Sequence, residues 1–496
     1  MRRLLNRRRG SPVPDRRLPL RALPGALLAL ATTGALAAAP LAPETVAAQL
    51  RDAALAGHDI AYSWTSELTT RFGPRPAGSP NEHDAAEWAA ARLKALGFEN
   101  VHIEAFPITA WVRGQESGEL VAPSRQPLAI AALGESPPTP PGGLEGEVVQ
   151  FATLDELEAA AEGSLHGKVA FIANRMVRTQ DGAGYGPAVK ARTAGPAAAA
   201  RAGASALLLR SVGTDNHRIA HTGTTLYTDG RVPLPAFALS NPDADQLERL
   251  AALGATPRVH LTSTASYVSD AHSQNVIADV RGSGKPEQFV VLGGHLDSWD
   301  QGTGAIDDGT GTAIVVAAAK LIRDLPHRPQ RTVRVVLFGS EEIAQPVKPF
   351  GDFGGNSYIT LHRAELSRHV LAGESDFGAD RVYAVGLPAA VHDGPFAHSV
   401  LRVLGPLGII AEPAPRGETG ADVAPMQAAG VPGFALKQDG TRYFDIHHTP
   451  DDTLDKIDRA QLDQNVAAWA ALAWLAADAG ADFRAPGGPA PAASEP

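Results

Sequence analysis

The residues in this chain that could do chemistry cluster where apolar runs end. The β-branched run from Phe289 to Leu292 stops at Gly293-Gly294 and is followed by His295, Leu296 and Asp297, with Asp307-Asp308 twelve positions after the histidine. A histidine and carboxylates delivered from a strand end into a glycine-rich loop are what a metal site requires: the strand fixes position, and the loop lets ligands converge. More candidates follow other apolar runs: Glu341-Glu342 after Thr332 to Phe338, and Asp376 after Val370 to Ala372. The pair His447-His448 stands in YFDIHHTPDDT. Two histidines and three carboxylates suit two divalent ions that share a bridging carboxylate, roughly 3.5–4 Å apart. There is no cysteine, so thiolate sites and disulfides are excluded. Imidazole and carboxylate donors suit zinc, and cobalt or manganese would fit the same set. Within Glu341-Glu342, adjacent residues past a strand point different ways, so one can bind metal while the other serves as general base. Taken singly, an acidic pair or a histidine pair in a loop is ordinarily solvated surface. Their recurrence at strand ends is what carries the metal-site reading, because ligands of open α/β sheets bind there.

The elements that must hold these groups read as α/β. Glu44 to Ala56 and Glu82 to Leu96 have helical spacing, the second capped by Ser79 or Asn81 and ended by Gly97, with a strand over Val101 to Phe106. Strands are expected at Asn275–Val280, Glu287–Leu292, Thr332–Phe338 and Val370–Ala372. Helices are expected at Thr312–Leu325, near Ser357–Leu361 and at Arg459–Ala477, the last burying Leu462, Val466, Trp469, Leu472 and Ala473. Between Ala122 and Gly143 the composition shifts to Pro, Ser and Gly, marking a boundary. Short strands at Glu147–Phe151, Lys168–Ile172, Ala204–Leu209 and Ala236–Ala238 then make a separate, non-catalytic module, in which His217 and His221 read as solvated loop residues.

Composition narrows the function. At 496 residues, 44% hydrophobic and 20% charged, the chain is globular and long enough for two domains. A basic leader with eight arginines precedes an alanine-rich apolar run, and Ala35-Leu36-Ala37 fits a signal-cleavage site, so residues 1–37 read as a signal peptide rather than a retained anchor. Its removal takes away those eight arginines and Asp15 and carries the net charge from −10 to −17. So acidic a protein is unsuited to nucleic acid or anionic lipid. The expectation is an exported protein, periplasmic or extracellular, without a stable membrane span.

The set GGHLDSWD, GAIDDGTG, FGSEE, ESD and HHTPDDT resembles the co-catalytic zinc exopeptidases of metallopeptidase family 28. GPRPAGS followed by EWAAARLKALGF is similar to that family's N-terminal signature, and GADVAPMQAAGVP to its loop before the last ligand. The resemblance spans about residues 45–125 and 270–480. It implies a mixed central sheet flanked by helices, interrupted by an inserted α/β domain of protease-associated type. The division expected is 43–125 and 270–480 catalytic, 126–268 inserted and 481–496 a disordered tail. It further implies that Asp307 bridges two zinc ions, His295 and Asp376 complete one site, and Glu342 and His448 the other. Glu341 would be the general base and Asp297 would orient His295. Asp308 would have a structural role, at a position where relatives often have a cis peptide. His447 stands where several relatives have a tyrosine that contacts the reacting centre. Arg416 and Arg442 are candidates for a substrate carboxylate, against the plainer reading as surface arginines. The longer loop from Ile343 to Phe353 departs from the family pattern beside the site.

The activity implied is hydrolysis of terminal peptide bonds in dipeptides or short peptides. The rivals are a broad aminopeptidase on longer peptides, a transferase cyclising N-terminal glutamine on the same scaffold, and a binding protein without activity. A homodimer is left open.

Overall fold

The run Arg331–Phe338 is buried along its whole length and lies in the middle of a five-stranded sheet. The chain is described by a computed structural model over residues 41–57, 59–226, 232–343, 353–415 and 419–484. The strand order is Glu99–Val112, Ser266–Val280, Arg331–Phe338, Lys285–His295 and His369–Glu374. The first two pairings are antiparallel and the last two parallel, so the sheet is mixed. Alternation sends Val290, Leu292, Val333, Val335 and Leu337 into a core beneath helices Pro43–Leu55, Ile60–Phe72, Thr310–Arg323 and Arg459–Asp478. On the other face, Phe289, Val291, Val336 and Phe338 meet Tyr358 and Met426. Burial on both faces explains why these strands read as continuous apolar runs.

Helix Pro80–Ala95 begins as its sequence dictates. Ser79 accepts the N–H of Glu82 at 3.2 Å, and the Glu82 carboxylate accepts the N–H of Gly78 at 2.6 Å. Asn81, the other candidate cap, instead donates to the carbonyls of Phe72 and Pro74. The final helix, Arg459–Asp478, is buried nearly all round and includes the expected Leu462, Val466, Trp469, Leu472 and Ala473.

One boundary differs from expectation. The strand expected to stop at Gly293-Gly294 runs on through both to His295, which pairs with Phe338. The glycines serve close packing rather than a turn. A Cβ on Gly293 would lie 2.8 Å from the Phe338 ring, and one on Gly294 would lie 3.0 Å from an Asp308 carboxylate oxygen.

A second, eight-stranded sheet is drawn from residues between Glu116 and Ser263. Its centre is the parallel set Leu144–Phe151, Lys168–Ile172, Ala206–Arg210 and Ala236–Leu239. The Pro-rich stretch read as a boundary instead supplies both edge strands, Gln126–Leu128 and Ile130–Ala132. Edges tolerate Pro127 because its missing donor faces no partner strand. The strand Glu116–Ala122, which precedes residue 126, pairs here with Arg258–Ser263. The segment leaves and re-enters the first sheet at one place, where Val112 pairs with Ser266.

At the far end, where a tail was expected from 481, Phe483 is buried against Phe396, Ala481 packs against the same core and its carbonyl accepts from Arg331. The leader 1–37, residues 485–496, the loop residues 344–352 and Arg416 lie outside the described residues. Among the described residues no helix is long and apolar enough to cross a membrane.

Candidate metal centre

His295 leaves the strand Lys285–His295 fully buried, its Nδ1 3.1 Å from the Asp297 carbonyl. A carbonyl only accepts, so Nδ1 carries a proton and Nε2 is the nitrogen turned toward the carboxylates. That nitrogen faces Asp307 Oδ1 at 3.2 Å and Asp376 Oδ1 at 3.4 Å. His448 repeats the arrangement: Nδ1 lies 3.3 Å from the Thr222 carbonyl, while Nε2 faces Asp307 Oδ2 at 3.3 Å and Glu342 Oε2 at 3.1 Å. Asp307 therefore stands between the two histidines. The ligand atoms of His295, Asp307 and Asp376, and those of Asp307, His447 and His448, each lie within 4.8 Å of one another.

Ring nitrogens this close to carboxylate oxygens need a proton or a metal cation between them. Asp307 Oδ2, Glu342 Oε1 and His447 Nδ1 are also buried without a hydrogen-bond partner, which is costly for groups of this kind. Carboxylates crowd the same place. Burial, then Asp307 and other acidic neighbours, push the Glu342 carboxyl well above its ordinary range against the pull of His295. Burial and then Asp376 push Glu374 up to about 8. The donor set thus fits divalent cations of the zinc kind, with oxygen and nitrogen ligands and no sulfur.

The local backbone aims these groups. Asp452 accepts the N–H groups of Ala305, Ile306 and Asp307 at 2.9, 2.6 and 3.1 Å, holding the loop before Asp307. The Asp307–Asp308 peptide is cis. Asp308 accepts the N–H groups of His295 and Gly311, both at 3.1 Å, which is a structural role. Asp297 accepts the N–H of Glu341 at 3.1 Å and of Glu342 at 3.3 Å. Ser340 and His448 take left-handed φ of 59° and 60°, each costing about 1–3 kcal/mol, and each stands beside or within the cluster. Glu342 is buried, whereas Glu341 keeps part of its surface open.

His447 packs in an aromatic cage. Its ring stacks on His448 at 3.5 Å and meets Tyr443, Phe444 and Tyr185 at 4.9, 5.3 and 5.4 Å. Its Nε2 lies 3.5 Å from Asp307 Oδ2, so the second donor group includes both histidines. Arg442 is exposed, with its guanidinium committed to a two-pronged pairing with Asp380. Arg416, the other candidate for a substrate carboxylate, lies outside the described residues.

Sequence reading overlooked four contributors. Arg75, in the GPRPAGS loop, is fully buried and donates to the carbonyls of Leu296, Thr303 and Gly304 at 2.8, 2.7 and 2.9 Å. Asp452 lay in view within HHTPDDT. Tyr185 and His221 come from the segment read as non-catalytic, and no local pattern marks them. His217 is exposed as expected, but His221 is buried, bonded to Asp215 and to the His447 carbonyl.

A mixed sheet with histidine and carboxylate groups at the ends of its parallel strands is the arrangement of a hydrolase family, and the chain belongs to peptidase family M28, whose pattern matches residues 275–473. It is similar to carboxypeptidase Q of Mus musculus, 36% identical over 417 residues that cover 84% of this chain and 85% of the relative. Among solved structures it is similar to a peptidase M28 precursor from Shewanella amazonensis SB2B, with a TM-score of 0.85, 43% identity and coverage of 89% of this chain and 98% of the other. The fold is also that of BSAP, a zinc aminopeptidase from Bacillus subtilis, with a TM-score of 0.60, 20% identity and coverage of 86% and 97%.

Proposed function

We propose that this protein is an exported metallo-exopeptidase that hydrolyses the terminal peptide bond of dipeptides and other short peptides. The observation that carries the reading is the pair of Nε2 atoms, on His295 and His448, aimed at opposite oxygens of Asp307. Two zinc ions would fit, one held by His295, Asp307 and Asp376 and the other by Asp307, Glu342 and His448, with His447 beside it. When bound, such ions supply Lewis acidity that makes water nucleophilic near neutral pH and stabilises negative charge on the carbonyl oxygen.

Glu341 is the proton carrier. Burial pushes its carboxyl well above the ordinary range, and Asp376, Asp297 and Asp307 add to this against the pull of His295. A more basic carboxylate takes a proton from the attacking water more readily, and it returns that proton to the leaving amine nitrogen. Asp297 fixes where Glu341 starts from, through the backbone bond at 3.1 Å. The rings around His447 exclude bulk water, which strengthens each charge interaction inside.

A relative named a carboxypeptidase and a fold neighbour named an aminopeptidase point to opposite ends of a peptide. A dipeptide has one peptide bond, which is terminal from both ends, and this favours dipeptides as substrate. Digestion of a peptide library by zinc-loaded protein, read by mass spectrometry, tests the reading. Free amino acids from dipeptides are expected. Progressive trimming of long peptides would favour a broad aminopeptidase, ammonia release from N-terminal glutamine a cyclase, and no product a binding protein. N-terminal sequencing of exported protein tests cleavage after residue 37.

A further inference from the structure

We propose that Asp215, His221 and Thr222, all from the segment that forms the second sheet, are positioning residues for the His447-His448 pair. The inference rests on the metal reading given above.

The contacts are direct. Thr222 brackets His448: its N–H donates to the His448 carbonyl at 3.0 Å, and its own carbonyl faces His448 Nδ1 at 3.3 Å. The second contact sets the tautomer, because a carbonyl can only receive the proton and Nε2 is left free to face Asp307 and Glu342. His221 holds the preceding residue, with Nδ1 2.7 Å from the His447 carbonyl. Its other nitrogen lies 2.6 Å from Asp215 Oδ1, and its backbone N–H donates to Ser211 Oγ at 2.9 Å. Asp215 is fixed in turn by the N–H of His217 at 2.7 Å. Gly213 leaves room for the ring, since a Cβ there would come within 2.3 Å of His221 Nε2.

His448 needs such support. Its φ of 60° is one that side-chain-bearing residues rarely adopt, so its backbone stays there only if neighbours hold it. The holding atoms come from 226 residues away in sequence. The second sheet is thereby part of the metal centre's architecture, and a His–Asp pair within it governs how firmly the second ion would be bound.

Zinc occupancy of the full chain, measured by dialysis against a competing chelator, tests this. Wild-type protein is expected to hold two zincs. His221→Ala is expected to weaken one of them tenfold or more and leave the other unchanged, the usual effect of removing a group that orients a ligand. His221→Gln, whose amide can still donate to the His447 carbonyl, should recover part of the affinity. Asp215→Asn should fall between, and exposed His217→Ala should match wild type. The melting midpoint of each metal-free variant is measured alongside. Two zincs of wild-type affinity in His221→Ala, or a lowered midpoint with unchanged zinc affinity, would overturn the inference. If His221→Ala does not fold, Asp215→Asn and Gly213→Ala decide by the same criteria. Wild-type protein that takes up no zinc would instead overturn the metal reading itself.

Discussion

Asp297 Oδ1 accepts the backbone N–H of Glu341 at 3.1 Å, so the residue that stands two positions after one histidine also seats the proposed base. Its other oxygen accepts the N–H of Glu342, and its own carbonyl faces His295 Nδ1. One residue therefore ties three proposed participants together: its carboxylate holds the two glutamates, and its carbonyl, with Oδ1 3.6 Å away, faces His295 Nδ1. Asp297→Asn turns one acceptor into an amide that opposes a backbone N–H. The expected outcome is a loss of kcat of about 100-fold or more together with about tenfold weaker zinc binding on the His295 side. Steady-state kinetics with metal analysis checks both, and wild-type values for both would remove Asp297 from the site.

Glu341 and Asp307 should separate cleanly. Glu341→Ala is expected to keep both ions and lose about 100- to 10,000-fold of activity, the usual contribution of a general base. Asp307→Ala is expected to lower occupancy at both sites, because both Nε2 atoms face its carboxylate. Loss of zinc from the Glu341 variant would mean that Glu341 and Glu342 have exchanged roles.

Arg75 is expected to matter more than its distance in sequence suggests. It is wholly buried, and its partners are backbone carbonyls of the loop from Leu296 to Gly304 and of Gly73. Arg75→Lys keeps the charge but cannot reproduce the fork, leaving buried carbonyls unpaired at a cost of about 3 kcal/mol. Urea denaturation checks the stability, and a tenfold or greater fall in activity at saturating zinc is expected with it.

Away from the centre, His362 gives the fold a pH dependence. Burial opposes its charging, but hydrogen bonds to Glu104 and Glu365 outweigh this and raise it to about 9. The bond to His362 is likewise the main reason Glu365 falls to about 2. A folded-state value above the unfolded one contributes stability that is complete below about pH 6.5 and lost as pH rises through about 9. His362→Gln should therefore cost about 2 kcal/mol near pH 6 and much less near pH 10. Equal losses at the two pH values in urea melts would exclude charge as the cause.

The strands that carry His295, Glu341 and Asp376 were legible because both faces are buried, which writes a continuous β-branched run into the sequence. His295, Glu341, Glu342 and Asp376 were legible because they stand at or just after strand ends. Asp307 and the His447-His448 pair lie in turns farther from a strand and were legible from residue type and motif. Gly293 and Gly294 misled: glycine after a run reads as a stop, whereas here it makes room for Phe338 and Asp308 within the strand. Thr222 and His221 were beyond reach, since they act through backbone atoms on residues 226 positions away. Pattern within a short window carries no record of such a meeting. Arg442 illustrates the converse, because a cation near a suspected site looks free until the fold brings Asp380 to it.

The left-handed turn at His448 has a consequence for the order of events in biosynthesis. Its seat is built by Thr222, made early, but the turn itself is among the last parts of the chain to be synthesised, just ahead of the closing helix Arg459–Asp478. A growing chain can complete the two sheets described above and still lack the histidine of the second metal group. On the proposed reading the second metal site is therefore complete only once His448 has been made and has met Thr222.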